Sequence, residues 1–112
     1  MGRSLSMVTG GLLLGAIAMP GWAQNVDVPA AEALTKKSGC LKCHAVDRKK
    51  DGPSFKETAG KYKGKPDAEE KILAHLTTNP KIKVDGKEEL HDSLKTKDEA
   101  AIKNVVRYIL SR

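Results

Sequence analysis

The stretch Ser38-Gly39-Cys40-Leu41-Lys42-Cys43-His44-Ala45 decides how the rest of this chain reads. Its two thiols lie three positions apart, and an imidazole follows the second at once. That spacing is the attachment pattern of a c-type haem. Two sulfurs so placed can add to the two vinyl groups on one edge of a porphyrin and become thioether links. A histidine fixed directly after the second link is carried beneath the ring, where a ring nitrogen can reach the iron. Bare Cys-x-x-Cys pairs also occur in redox and zinc proteins, so the surrounding residues have to discriminate.

Outward from that stretch, the N-terminus has the composition of a secretory signal. Arg3 is the only charge ahead of Asp27, an apolar run covers Leu12 to Met19, and small residues lead up to Ala23. A membrane anchor would need about 20 apolar residues, whereas this run is short, glycine-rich and broken by Pro20. Cleavage after Gly21-Trp22-Ala23 divides the chain into a signal, 1–23, and one mature domain, 24–112. The expectation is export to the periplasm without stable membrane insertion. Removing Arg3 leaves 19 basic and 14 acidic side chains, a net charge of +5 before any cofactor is counted.

The mature domain has few large groups with which to build a core. Trp22 leaves with the signal, so Phe55, Tyr62 and Tyr108 are its only aromatic residues. Chains this short bury little apolar surface unaided and often rely on a disulfide, a metal or another staple. A covalently held haem would supply a broad apolar body against which helices pack.

The remaining pattern is helical. Asp27 can cap a first helix with Pro29 in its opening turn and Glu32 close behind, running to about Ser38, with Gly39 as its stop. Asp47 to Asp51 reads as charged loop, and Gly52-Pro53 punctuates. Ser54 to Glu57 is a capping box for a short helix. A third helix is expected from Asp67 to Asn79-Pro80, with Ile72, Leu73 and Leu76 as its apolar stripe. Thr96 to Glu99 forms a second capping box ahead of Ile102, Val105, Val106 and Ile109 at helical spacing. No segment alternates well enough to be read as a strand. The chain is expected to be all-α.

Against this background the rival uses of the cysteines weaken. A thioredoxin-type pair needs a strand–helix–strand setting. A structural zinc site needs two more ligands at short spacing, and His75 and His91 lie sixteen positions apart. A plain disulfide suits an oxidising compartment but gives His44 no role.

The segments SGCLKCHA, DGPSFKETAGKYKGK and VVRYILSR resemble the small bacterial class I c-type cytochromes, and the likeness covers the chain from about Ala30 onward. The resemblance implies a fold of about four helices around one covalent haem. It implies thioethers at Cys40 and Cys43, His44 as proximal iron ligand, and Pro53 as the residue whose carbonyl accepts the other N–H of that imidazole. Such an outer contact fixes the tautomer and makes the ligand more basic.

One departure stands out. Family members place a methionine opposite the histidine, but here Met1, Met7 and Met19 are the only methionines and all go with the signal. Counted back from the last helix, the methionine position falls on His91. His75, inside the third helix, is the competitor; a lysine, water or an open site are the other choices. With His91 as metal ligand, the resemblance narrows to the bis-histidine periplasmic monohaem cytochromes of metal-oxidising bacteria. Replacing methionine by histidine lowers the expected potential.

Function follows from ligation. Two protein ligands leave no coordination place for substrate, so the expected role is one-electron transfer between redox partners, not an enzyme's. The alternative, if the sixth place is open, is a haem-based peroxidase or gas sensor. Lys36, Lys37 and Lys42, then Arg48, Lys49 and Lys50, then Lys81, Lys83 and Lys87 would form a basic rim for acidic partners. Nucleic acid is not expected, because acidic residues and a lack of interleaved aromatics interrupt the basic segments. A monomer is expected.

Overall fold

The computed structural model describes residues 25–112 continuously, together with isolated positions 2, 10, 11, 15 and 16. The expected signal, 1–23, lies outside the described residues apart from those positions. Among the described residues four helices carry the fold: α1 (Val28–Lys37), α2 (Phe55–Tyr62), α3 (Ala68–Thr77) and α4 (Glu99–Leu110). A single 3-10 turn at Cys40–Lys42 follows α1, and a two-stranded hairpin, β1 (Lys81–Val84) and β2 (Lys87–Leu90), separates α3 from α4. Among the described residues no helix is long and apolar enough to cross a membrane.

Most helix starts follow the local chemistry read from the sequence. The Asp27 carboxylate accepts from the Ala30 N–H at 3.1 Å, and a proline sits in the first turn of α1. At α2 the capping box is complete: Ser54 Oγ accepts from the Glu57 N–H at 3.0 Å, and Glu57 accepts from the Ser54 N–H at 2.8 Å. Such a cap contributes about 1 kcal/mol. At α4 the start falls two residues later than the Thr96 box suggests. Asp98 accepts from the N–H groups of Ala100 and Ala101, while Thr96 Oγ1 is occupied by the Asp98 N–H.

α4 is the central element, because α1, α2 and α3 all pack against it. Its face of Ile102, Val105, Val106, Tyr108 and Ile109 is buried, with Tyr108 only 1% exposed. Ala31 from α1, Phe55 from α2, and Ile72 and Leu76 from α3 complete the same cluster. Polar contacts fix the crossings. The Asp27 N–H donates to Asn104 Oδ1 at 2.9 Å and Asn104 Nδ2 returns a bond to the Asp27 carbonyl at 2.8 Å, tying the start of α1 to α4.

The hairpin is the one element the helical reading leaves out. Asp85 and Gly86 form its turn with φ of 50° and 77°. Two successive positive φ values define the two-residue turn whose twist matches antiparallel strands, and Asp-Gly is a favoured pair for it. Register runs from Lys81 opposite Leu90 to Val84 opposite Lys87. After β2 the chain returns to the helices, with the Leu94 N–H on the Leu76 carbonyl and the Lys95 N–H on buried Ser38 Oγ.

Candidate functional site

The 3-10 turn, the 43–53 loop, α2, α3, the hairpin and α4 together surround a cavity of about 720 Å³. Cys40, Cys43, His44, Gly52, Pro53, Phe55, Tyr62, Ile72, His75, Leu76, Ile82, Val84, His91, Val105 and Ile109 all line it. Every residue singled out in the sequence as a cofactor contact therefore opens on one space. The competitor His75 does too.

On the Cys-His side the backbone builds a rigid corner. Gly39, at φ 78°, breaks α1 in the left-handed conformation that favours glycine. The N–H groups of Cys43 and His44 then both donate to the Cys40 carbonyl, at 3.2 and 2.9 Å. Across the loop the Gly52 N–H donates to the Cys43 carbonyl at 2.8 Å, and the Phe55 and Lys56 N–H groups to Ala45 and Val46 at 2.9 Å each. Lys50 Nζ closes the same loop onto the Leu41 carbonyl at 2.6 Å.

That corner orients His44. Its Nδ1 lies 2.7 Å from the Pro53 carbonyl, so Nδ1 carries the proton and Nε2 is the nitrogen left with a free lone pair. Phe55 stacks behind the imidazole with ring centres 5.8 Å apart, and Tyr108 meets Phe55 edge-on at 6.0 Å. Gly52 is a further contact that the sequence reading treated only as punctuation. A Cβ there would lie 2.5 Å from His44 Cε1 and 2.9 Å from Nδ1, so the ring holds its place only beside a residue with no side chain.

The second wall is made differently. His91 follows β2 directly; its N–H donates to the Pro80 carbonyl at 2.8 Å and its carbonyl accepts from Asn79 Nδ2 at 2.9 Å. Its ring centre is 6.1 Å from that of His44 and 4.2 Å from that of His75. Burial, with a smaller push from His44, holds the His91 imidazole below its usual pKa. Partial desolvation and then His91 push His75 the same way, although the residue is exposed. Both shifts favour the neutral imidazole, the form that binds metal. His91 Nδ1 is buried without a hydrogen-bond partner.

These features fit an axially ligated haem. Metal–nitrogen bonds of about 2 Å on each side, plus about 1 Å from each nitrogen to its ring centre, call for ring centres roughly 6 Å apart. His44 and His91 meet that spacing; His75 and His91 are too close together to hold a metal between them. Cys40 and Cys43 are half-buried at the cavity edge and not joined in a disulfide. Among the described residues no cluster of three or more histidine, cysteine or carboxylate side chains is gathered as a structural zinc site would require.

A mainly helical fold closed by α4 around a cavity beside a Cys-x-x-Cys-His turn defines a class I c-type cytochrome. Comparison with known sequences agrees: the cytochrome c family matches residues 28–112, and the chain belongs to that family, whose cofactor here is one covalently attached haem c. Cytochrome c-551 of Pseudomonas aeruginosa is 36% identical over 72 residues, 64% of this chain and 62% of that protein. Cytochrome c-552 of Nitrosomonas europaea is 42% identical over 53 residues, 47% of each chain. The chain thus spans about half to three fifths of the length of these curated relatives. Among solved structures, the class 1 cytochrome MtoD from Sideroxydans lithotrophicus ES-1 superposes with a TM-score of 0.74 at 50% identity, covering 78% of this chain and 97% of that one. Wild-type Nitrosomonas europaea cytochrome c552 superposes with a TM-score of 0.55 at 26% identity, covering 71% and 96%.

Proposed function

We propose that this protein is a periplasmic one-electron carrier whose single haem is held by Cys40 and Cys43 and ligated by His44 and His91. The observation that carries the reading is the 6.1 Å between the two imidazole centres across one cavity. The haem supplies a reversible one-electron iron couple when bound. Pro53 holds the proton on His44 Nδ1 and fixes the ring, while Gly52 leaves room for it. His91 would hold the iron from the side away from His44 and leave no coordination place for substrate, which distinguishes this reading from a peroxidase or gas sensor. Phe55, Ile72, Leu76, Val105 and Ile109 exclude water from the cavity walls.

The basic rim suits acidic redox partners. Lys36, Lys37, Lys42, Arg48, Lys49, Lys81, Lys83 and Lys87 are exposed, and Lys49 and Lys83 border the cavity. Not every member is free: Lys81 lies 3.8 Å from Glu88, and Lys50 is bonded to the Leu41 carbonyl. Steering by such a rim raises encounter rates and weakens with salt. The likeness to MtoD, together with the histidine in place of methionine, supports a place in electron transfer from extracellular metal such as Fe(II), by a monomeric carrier.

Carbon monoxide tests the proposal. The reduced wild-type protein is expected to bind it slowly or not at all, and the His91→Ala variant to bind it fast and completely. Fast, complete binding by the wild type would favour the open-site enzyme or sensor.

A further inference from the structure

The base of the hairpin holds His91 by a contact that the regular strand ladder cannot supply. Because Lys81 pairs with Leu90, the next pair outward is Pro80 with His91. A hydrogen-bonded antiparallel pair exchanges two N–H to carbonyl bonds. One is present, from the His91 N–H to the Pro80 carbonyl at 2.8 Å. The reciprocal donor does not exist, because proline has no N–H. Asn79 fills the gap: its side-chain amide donates to the His91 carbonyl at 2.9 Å. It does so from a left-handed backbone, φ 49°, which asparagine tolerates better than most residues.

We infer that Asn79 is a positioning residue. Its amide substitutes for the ladder donor missing at Pro80, pins the His91 backbone, and so keeps the second axial place closed to small exogenous ligands. The inference rests on His91 being the axial ligand. Breaking this one hydrogen bond should raise the population with His91 displaced about fivefold, the scale of a single net hydrogen bond.

The test measures the rate of carbon monoxide binding to the reduced, haem-loaded protein. Asn79→Gly keeps the left-handed backbone accessible and removes only the amide; binding is expected to be about fivefold faster than in the wild type. Asn79→Asp keeps the size but sets an acceptor against the carbonyl, and should be at least as fast. Pro80→Ala restores the backbone donor, so the double variant Asn79→Gly, Pro80→Ala should return to the wild-type rate, a rescue that a general packing role would not show. Wild-type rates in both Asn79 variants, beside a fast His91→Ala, would overturn the inference. A double variant as fast as Asn79→Gly would overturn the ladder substitution. A wild-type rate in His91→Ala would instead remove the axial role of His91 on which the inference stands.

Discussion

His44 and His91 reach the same cavity from segments held by different kinds of contact. His44 sits within a continuous run, Cys40 to Pro53, in which almost every restraint is local: the Cys40 carbonyl, the Gly52 N–H, the Pro53 carbonyl. His91 sits at the end of a hairpin, fixed by Asn79 and Pro80 on the far side of a ten-residue excursion from Lys81 to Leu90. The first arrangement is written into neighbouring residues and resists disturbance as a unit. The second depends on strand register, where a slip by one residue would turn each side chain to the other face. In the proposed His44/His91 pair the two imidazoles would therefore be held with unequal security.

Removing the covalent anchor should have the largest effect. The Cys40→Ala, Cys43→Ala double variant is expected to lose covalent haem and most of its helical structure, because the cavity it leaves is too large for a domain whose aromatic residues from 25 to 112 are Phe55, Tyr62 and Tyr108. Far-ultraviolet circular dichroism checks this; a cooperative, native-like helical melt in that variant would show that the protein packs without its cofactor.

On the His44 side, Gly52→Ala should destabilise the protein by about 1–3 kcal/mol, the usual cost of overpacking a rigid site. The added methyl meets ring atoms at 2.5 Å, and the ring cannot retreat without losing Pro53. Thermal melting of the oxidised protein measures it. An unchanged melting temperature would mean that the corner is softer than its hydrogen bonds suggest.

On the His91 side, His91→Met should leave stability nearly unaltered yet raise the potential, since methionine opposite histidine favours the reduced iron. Redox titration decides: a potential equal to or below that of the wild type would contradict axial ligation by His91. The smallest change is expected from His75→Ala, which should keep the six-coordinate spectrum although its ring lies 4.2 Å from that of His91. Appearance of a high-spin spectrum in this variant would transfer the ligand role to His75.

The contrast between the two walls also explains what was legible in the sequence. The caps at Asp27 and Ser54, the stop at Gly39 and the apolar face of α4 are local signals, and each appears where the residues place it. The hairpin did carry a sign of itself: Lys81-Ile82-Lys83-Val84 alternates, and Asp85-Gly86 is a hairpin turn pair. It was obscured because β2, Lys87-Glu88-Glu89-Leu90, is exposed along its whole length and lacks alternation, with Leu90 62% exposed. The Thr96 box misplaced the α4 start because Asp98, two residues on, caps the N–H groups of Ala100 and Ala101, while Thr96 accepts only from the N–H of Asp98 itself. Gly52 beside His44 and Asn79 beside His91 act through space, and a one-dimensional pattern gave no reason to single them out.

In the proposed ligation His44 and His91, and not His75, face each other across one iron. Paramagnetic nuclear magnetic resonance of the oxidised protein, labelled isotopically at histidine, addresses it most directly. Two imidazoles should show large hyperfine shifts, one of which vanishes in His91→Ala, and the third, His75, a small shift. A single strongly shifted imidazole, or a second one that disappears in His75→Ala and persists in His91→Ala, would contradict it.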